Sequence, residues 1–224
     1  MKRRKFMLLG ILIFCTMFLS CLYAYSNTQS ATTSINHTKD TIYATDLFIS
    51  EYIEGSGNNK AIEIFNGTGQ SVDLSVYKIR LAVNGGTWGT ILALTGQLSH
   101  GEVYVIANSG AVPAILDIAD IISGVTSYNG DDCIGLFKNN DLIDIIGEQG
   151  PDPGTAWPVA GTANATAEHT LIRKPTVISP TTDWSASAGT NADNSQWIIL
   201  TQNYITDLGQ HTFTPSTSNT CAMP

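Results

Sequence analysis

The 224-residue chain has few charged residues, and only a minority of these are basic. Charged side chains make up 13% of the sequence, with 11 Lys and Arg against 19 Asp and Glu. Proteins that bind nucleic acid by neutralising phosphates have the opposite balance, so direct nucleic-acid binding is not expected. The same balance disfavours adsorption to anionic lipid. In an exported domain, an acidic charge serves mainly to keep the protein soluble.

Common catalytic and metal-binding signatures are also missing from the sequence. The four histidines, His37, His100, His169 and His211, do not have the spacing of a zinc site, and no HExxH pattern occurs. There is no Gly-x-Ser-x-Gly nucleophile elbow and no phosphate-cradling loop. We therefore assign no catalytic residue and predict that the protein is not an enzyme.

The four cysteines do not have metal-type spacing. Cys15 and Cys21 lie in the N-terminal leader, Cys133 lies in an apolar strand pattern, and Cys221 lies in a polar tail. A buried thiol is favoured for Cys133, because cysteine packs readily as a small hydrophobe. A disulfide between Cys133 and Cys221 is the alternative, since an exported protein can form one.

The N-terminus has the pattern of a secretory signal peptide, which we place at residues 1–24. Basic residues 2–5 precede an apolar run at Phe6–Leu19, which is short for a membrane-spanning helix, the alternative interpretation. Phe18–Cys21 resembles a loose bacterial lipobox, in which case the signal ends at residue 20 and Cys21 is lipidated. The other interpretation is that an ordinary signal peptidase cleaves after Ala24, without lipidation. Both predict an exported chain, either extracellular or a cell-surface or outer-membrane lipoprotein.

Behind the leader, the sequence predicts a tether, one β-domain and a tail. Residues 25–43 are rich in Ser, Thr and Asn and predict a flexible tether. Residues 44–211 carry about ten short strand patterns with frequent turns, typical of one β-sandwich. The one predicted helix is Ala111–Ala119, with Pro113 in its first turn. Residues 212–224 predict a disordered tail.

The opening stretch of this domain carries a family resemblance. Ser50-Glu51, Glu54-Gly55-Ser56 and Asn59–Asn66 resemble the lamin-tail domain as it occurs in secreted bacterial proteins, beside extracellular nucleases. Further segments match in the same order, so the resemblance spans Ala44 to His211; they include Val72–Ser75, Asp152–Trp157, Thr170–Lys174 and Asp207–Gly209. It implies an all-β, immunoglobulin-like β-sandwich with one short helix, used for interaction.

Three functions remain open from the sequence. The first is an exported, non-catalytic interaction or adhesion module, secreted or lipid-anchored, with a protein or cell-envelope partner. Its contact with a membrane would be through the lipid anchor alone. The second is an accessory domain of a secreted nuclease or phosphatase system whose catalytic part is missing or encoded separately. The third is a Ca²⁺- or carbohydrate-binding module.

The Ca²⁺ alternative rests on loop carboxylates, and Ca²⁺ is the one cofactor the sequence suggests. Asp131, Asp132 and Glu54 are the candidate metal ligands, since Ca²⁺ prefers oxygen donors at loop ends. The competing interpretation is structural: Asp131 and Asp132 accept backbone N–H bonds within a turn. In that interpretation, Glu51 and Glu63 form ion pairs with one of four cations: Lys60, Lys78, Arg80 or Arg173.

The carbohydrate alternative rests on tryptophans. Trp88, Trp157 and Trp184 would form an exposed aromatic surface for a ligand. In β-sandwiches, however, tryptophan is more commonly used for packing in the core or in loops.

Overall fold

The structure, a computed structural model, describes residues 39–215 and the two-residue strand at 218–219. The predicted signal peptide, Cys21 and Cys221 lie outside the described residues, as do all but the last five residues of the predicted tether. Of the described residues, 40–215 belong to one compact unit.

The described chain is built mainly from short strands. In chain order these are β1 (Lys39–Asp40), β2 (Phe48–Glu54), β3 (Lys60–Phe65), β4 (Val72–Asp73), β5 (Tyr77–Ala82), β6 (Ile91–Ala93), β7 (Gln97–Leu98), β8 (Val103–Ala107), β9 (Ile121–Ile122), β10 (Cys133–Lys138), β11 (Asp141–Ile146), β12 (His169–Arg173), β13 (Trp197–Thr201) and β14 (Ser218–Asn219). The two α-helices are α1 (Pro113–Leu116) and α2 (Trp184–Ala188).

Two sheets face each other across one apolar core. The larger sheet has the strand order β13-β12-β2-β3-β8-β9, and the smaller has the order β11-β10-β5-β6. All their pairings are antiparallel except that of β8 with β9. Ile49 and Ile62 of the larger sheet pack in the same buried cluster as Ile79 and Ile134 of the smaller. The predicted β-sandwich is therefore confirmed.

The period-two pattern of β5 has the expected structural meaning. Tyr77, Ile79 and Leu81 are buried in the core, while Lys78 and Arg80 are half-buried on the opposite face. Cys133, the first residue of β10, is buried as expected and is 1% exposed.

Strand β2 is more deeply buried than its sequence suggests. All seven of its residues are buried, whereas its composition predicts a half-buried strand. A register irregularity between Ile49 and Glu51 marks a β-bulge, which reverses the alternation of side chains along the strand. Ile49 and Tyr52 consequently pack into the sandwich core, while Ile53 packs into a second cluster on the outer face of the larger sheet.

The helical segments differ in extent and number from the prediction. The helix expected over Ala111–Ala119 covers only Pro113–Leu116. The second short helix, α2, begins after Asp183, whose side chain accepts a hydrogen bond from the Ala186 N–H at 3.0 Å. Neither helix, nor any other in residues 39–215, combines the length and apolar character that crossing a bilayer requires.

The packed domain also continues beyond residue 211. The Phe213 ring lies 5.4 Å from the ring of Phe65, and the Thr214 N–H donates to the Pro175 carbonyl at 2.7 Å. These contacts place the first residues of the predicted tail against the sandwich.

A buried ion pair joins the two sheets. Arg173 of β12 and Asp144 of β11 are both inaccessible to solvent, and the Arg173 guanidinium donates to both carboxylate oxygens at 2.6 and 2.5 Å. The carboxylate also accepts backbone N–H bonds from Ile49 and Thr181. The guanidinium lies 4.3 Å from the centre of the Trp197 ring. Each charge therefore faces a buried opposite charge, as burial requires, and of the guanidinium nitrogens only Arg173 Nε is buried without a hydrogen-bond partner.

This arrangement corrects the expected ion pairs of the opening hairpin. Glu51 forms no hydrogen bond, and Glu63 bonds to the Ser50 hydroxyl and to the Gly209 N–H. Arg173 pairs with Asp144 instead, and Lys60 pairs with Glu54. The bulge in β2 turns Glu51 to the outer face, where Glu63 of β3 already points, away from the cations of the core.

We expect Asp144→Asn to lower the free energy of unfolding by about 3 kcal/mol, because it leaves the buried Arg173 charge without a counter-ion. Urea unfolding of the protein measures the loss. Asp141→Asn, on the exposed start of the same strand, is the control and should change stability by less than about 0.5 kcal/mol. Equal, small effects of the two substitutions would contradict the assigned role of the pair.

Candidate functional site

The structure gives Glu54 a structural partner. Glu54 lies at the end of β2 and is 5% exposed. Its Oε1 atom lies 2.8 Å from the Lys60 ammonium, and its Oε2 atom accepts the Glu168 N–H at 2.6 Å. Lys60 also donates to the Tyr128 carbonyl. Both carboxylate oxygens therefore have partners within the protein, and their contacts hold the end of β2 to the neighbouring segments.

Asp132 is likewise occupied by the backbone around it. The side chain is 2% exposed, and its two oxygens accept the N–H groups of Asn84 and Asn129, each at 2.9 Å. It therefore closes its own turn and ties that turn to the loop after β5, as the structural interpretation expects. Asp131 differs, because its Oδ1 atom is buried without a hydrogen-bond partner and burial raises the pKa of its carboxyl.

The three predicted ligands lie near Tyr52; burial is the main cause that raises the pKa of this tyrosine, and the three carboxylates add to the shift. They are not assembled into a metal centre. Within residues 39–215, no three His, Cys, Asp or Glu side chains are grouped so that they could hold a metal ion.

Two of the three tryptophans of the carbohydrate hypothesis are not exposed, as the competing packing interpretation expects. Trp157 is 8% exposed and Trp184 is 3% exposed, and both pack in the core cluster. Trp88 is half-buried, with its ring edge-on to Phe137 at 5.1 Å. These rings stabilise the sandwich because large aromatic faces gain most from burial.

A cleft that the sequence did not indicate lies beside the start of β2. It has a volume of about 500 Å³ and is lined by residues 44–46, Thr68, residues 70–73, residues 76–77 and Lys138. Val76 on its wall is 37% exposed, and the neighbouring Tyr43 is 47% exposed. The cleft thus combines a polar interior with accessible apolar side chains at its edge.

Three side chains form a polar group at one wall of this cleft. Asp46 accepts the Tyr77 hydroxyl at 2.5 Å through Oδ1 and pairs with the Lys138 ammonium at 2.7 Å through Oδ2. Tyr77 and Lys138 are adjacent because β5 and β10 align them in register. Asp46 reaches them from the loop before β2, so the group connects the two sheets at this edge.

The protonation states of this group follow from its contacts. Burial, followed by the hydrogen bond to Asp46, raises the pKa of Tyr77 to about 12. The hydrogen bond to Asp46 also raises the pKa of Lys138. At neutral pH the tyrosine therefore keeps its proton and the lysine keeps its charge, so both are hydrogen-bond donors.

The sequence shows the three residues of this group but does not show that they lie close together in the fold. Tyr77 begins a clear period-two strand and Lys138 ends another, yet only the pairing register of β5 with β10 puts them side by side. Asp46 precedes the first core strand without any local motif.

Comparison with known proteins identifies the family. Residues 41–150 match the family model of the Lamin Tail Domain. These residues carry a lamin tail domain. The β-sandwich is the immunoglobulin-like fold that the resemblance implies, and the match supports an immunoglobulin-like interaction domain. The searches of curated proteins and of solved structures found no match.

The sandwich extends beyond the matched residues of the lamin tail domain. Strands β12 and β13 follow residue 150, yet β12 pairs with β2 at the centre of the larger sheet. The buried ion pair crosses the same boundary, with Asp144 inside the match and Arg173 beyond it. The residues after 150 are therefore part of the same folded unit. Every residue that lines the cleft lies inside the match.

We expect Asp132→Asn to lower the free energy of unfolding by about 1–3 kcal/mol, because an amide has only one oxygen to replace two acceptors. The loss should be equal with and without millimolar Ca²⁺, measured by thermal unfolding. Asp131→Asn is the matched control and should cost less, since Asp131 has an unpartnered buried oxygen. A Ca²⁺-dependent rise in Tm that disappears in both variants would restore the metal-site hypothesis.

Proposed function

We propose that the chain is an exported, non-catalytic interaction module, and that the cleft at Asp46, Tyr77 and Lys138 contacts a protein or cell-envelope partner. The observation that carries the proposal is the cleft itself, an open concavity built from lamin tail domain residues. Concave sites with a few fixed polar groups and accessible apolar walls are the usual places where proteins bind ligands.

The chemistry of the cleft supports recognition. Lys138 offers a cation whose side chain is 42% exposed, and Tyr77 offers a protonated hydroxyl. Asp73, which also lines the cleft, accepts the Ser75 N–H at 2.9 Å, and this bond lowers its pKa. These groups are fixed by neighbouring backbone and side chains, so a partner would meet them already oriented. The pKa values of Tyr77 and Lys138 are both raised, whereas activation of either group as a nucleophile would require a lowered pKa.

Export is proposed from the leader. Residues 2–5 and the apolar run that follows fit a secretory signal, and Cys21 offers an attachment point for lipid. The formal net charge of the whole chain, −8 at pH 7, fits a soluble exported module. Such a module acts either free in the medium or tethered to the cell surface.

Substitutions on the cleft wall should weaken binding to the cell envelope. We expect Val76→Ser and Lys138→Ala each to reduce co-sedimentation of labelled mature protein with envelopes of the producing cells, because each removes an accessible contact group. Ile122→Ser, at an exposed position of β9, is the control and should bind as the unaltered protein does. Thermal unfolding checks that all three variants remain folded. Equal binding by all four proteins would refute the cleft as the contact surface.

The mass of the mature protein tests export and its form. We expect cells that express the full chain to yield either an acylated chain that begins at Cys21 or an unmodified chain that begins near Tyr25. Intact-mass analysis of membrane and medium fractions distinguishes the two. An uncleaved chain that still begins at Met1 inside the cell would contradict export. Hydrolysis of DNA by the purified protein with a divalent metal would contradict the non-catalytic part of the proposal.

A further inference from the structure

A pair of glutamates is buried on the outer face of the larger sheet. Glu51 and Glu63 are direct partners in the β2–β3 register, and they are 1% and 0% exposed. Like charges directly opposite each other destabilise an antiparallel pair. Because both side chains are buried, the cost of charging both carboxylates is far greater. This face can therefore stay closed only while at least one of the two holds a proton.

The pair is covered by one irregular segment, residues 203–214, which we call the strap. The strap contains no helix or strand. At one end, the Asn203 side chain accepts the Ser56 N–H at 2.9 Å. At the other, Thr214 donates to the Pro175 carbonyl. Between them, Leu208 packs in the same apolar cluster as Ile53. The strap thus runs along β2 and seals the outer face.

The strap bonds directly to one member of the pair. The Gly209 N–H donates to Glu63 Oε2 at 2.8 Å, and the Ser50 hydroxyl donates to Glu63 Oε1 at 2.6 Å. Glu51 has no such support, since both its oxygens are buried without a hydrogen-bond partner. Glu63 can therefore carry a charge at moderate cost, whereas Glu51 cannot.

Among the described residues, the side chains around the glutamate pair add negative charge, and no cation is paired with either glutamate. From the neighbouring strands, Ile172 stands opposite Glu51 and Val105 opposite Glu63, and both are uncharged. The strap contributes Asp207, which raises the pKa of both glutamates, and His211, which packs between Phe48 and Phe65. Two other ionisable side chains act nearby, the Tyr128 phenol and the Arg173 guanidinium, which Asp144 already neutralises.

We propose that the strap is a proton-controlled latch, closed over Glu51 and Glu63 while they share at least one proton and opened when both become charged. Opening uncovers the apolar cluster around Ile53 on the outer face of the sheet. The latch responds to alkaline conditions and leaves the sandwich core, with its own buried ion pair, intact.

The direction follows from the pKa values. Burial is the main cause that raises the pKa of Glu51 to about 9 and that of Glu63 to about 7, from an ordinary 4.5. A carboxyl with a raised pKa favours the closed state at low pH and loses that contribution as the pH rises through its shifted value. Burial lowers the pKa of His211 to about 4, so this ring stays neutral over the same interval.

Hydrogen exchange of the mature protein, read by mass spectrometry and corrected for the intrinsic rate at each pH, tests the latch. We expect protection of peptides from residues 203–214 to fall by about tenfold or more between about pH 6 and pH 9.5. Peptides from β10 should keep their protection, because the core does not open. Unchanged protection of the strap, or parallel loss in β10, would overturn the proposal.

Two substitutions test whether the opening of the strap depends on the glutamate pair. Glu51→Gln cannot ionise, so its strap should remain protected at about pH 9.5. Glu102→Gln removes an exposed carboxylate elsewhere and should behave as the unaltered protein. A strap in Glu51→Gln that still opens at high pH would overturn the assignment. If that variant does not fold, cleavage of the unaltered protein by chymotrypsin after Tyr204 or Phe213 decides the matter, with each rate divided by that for a short unstructured substrate at the same pH. The latch requires this ratio to rise at high pH, and a constant ratio would overturn it.

Discussion

The ion pair between Arg173 and Asp144 determines how the two sheets meet. Both charges are fully buried, so neither can leave the other without exposing an unpaired charge to an apolar interior. The pair also fixes backbone, because Asp144 accepts the N–H groups of Ile49 and Thr181. Ser187 of α2 bonds both the guanidinium and the Trp197 indole N–H. One interaction thus joins β2, β11, β12, α2 and β13.

Strand β2 is the second constraint, because it is covered on both faces. The bulge after Ile49 divides the strand between the sandwich core and the outer cluster. A glutamate placed at the bulge is consequently neither in contact with core cations nor exposed to solvent. The same geometry that completes the core therefore creates the buried acidic pair, and the strap is what keeps water from it.

Local patterns predicted much of the fold and little of the candidate site. The strands, the turns between them and the burial of Cys133 follow from period-two alternation and from Gly- and Asn-containing turns, which act over a few residues. Asp132 as a turn acceptor follows from the same local rules. The cleft does not, since Asp46, Tyr77 and Lys138 come from three distant segments. The exposure of the tryptophans could not be predicted either, because it depends on which distant segments pack over each ring.

The strand-rich class, the family and the acidic charge can be read from the amino-acid sequence, because they depend on composition, on short-range periodicity and on ordered motifs. Which carboxylates are paired depends on the folded structure. Glu54 and Asp144 gain cations, while Glu51 and Glu63 face each other beneath the strap. This pairing cannot be read locally, because a one-residue shift in strand register moves a side chain to the other face of the sheet. Its charge partner is then set by elements far away in the chain.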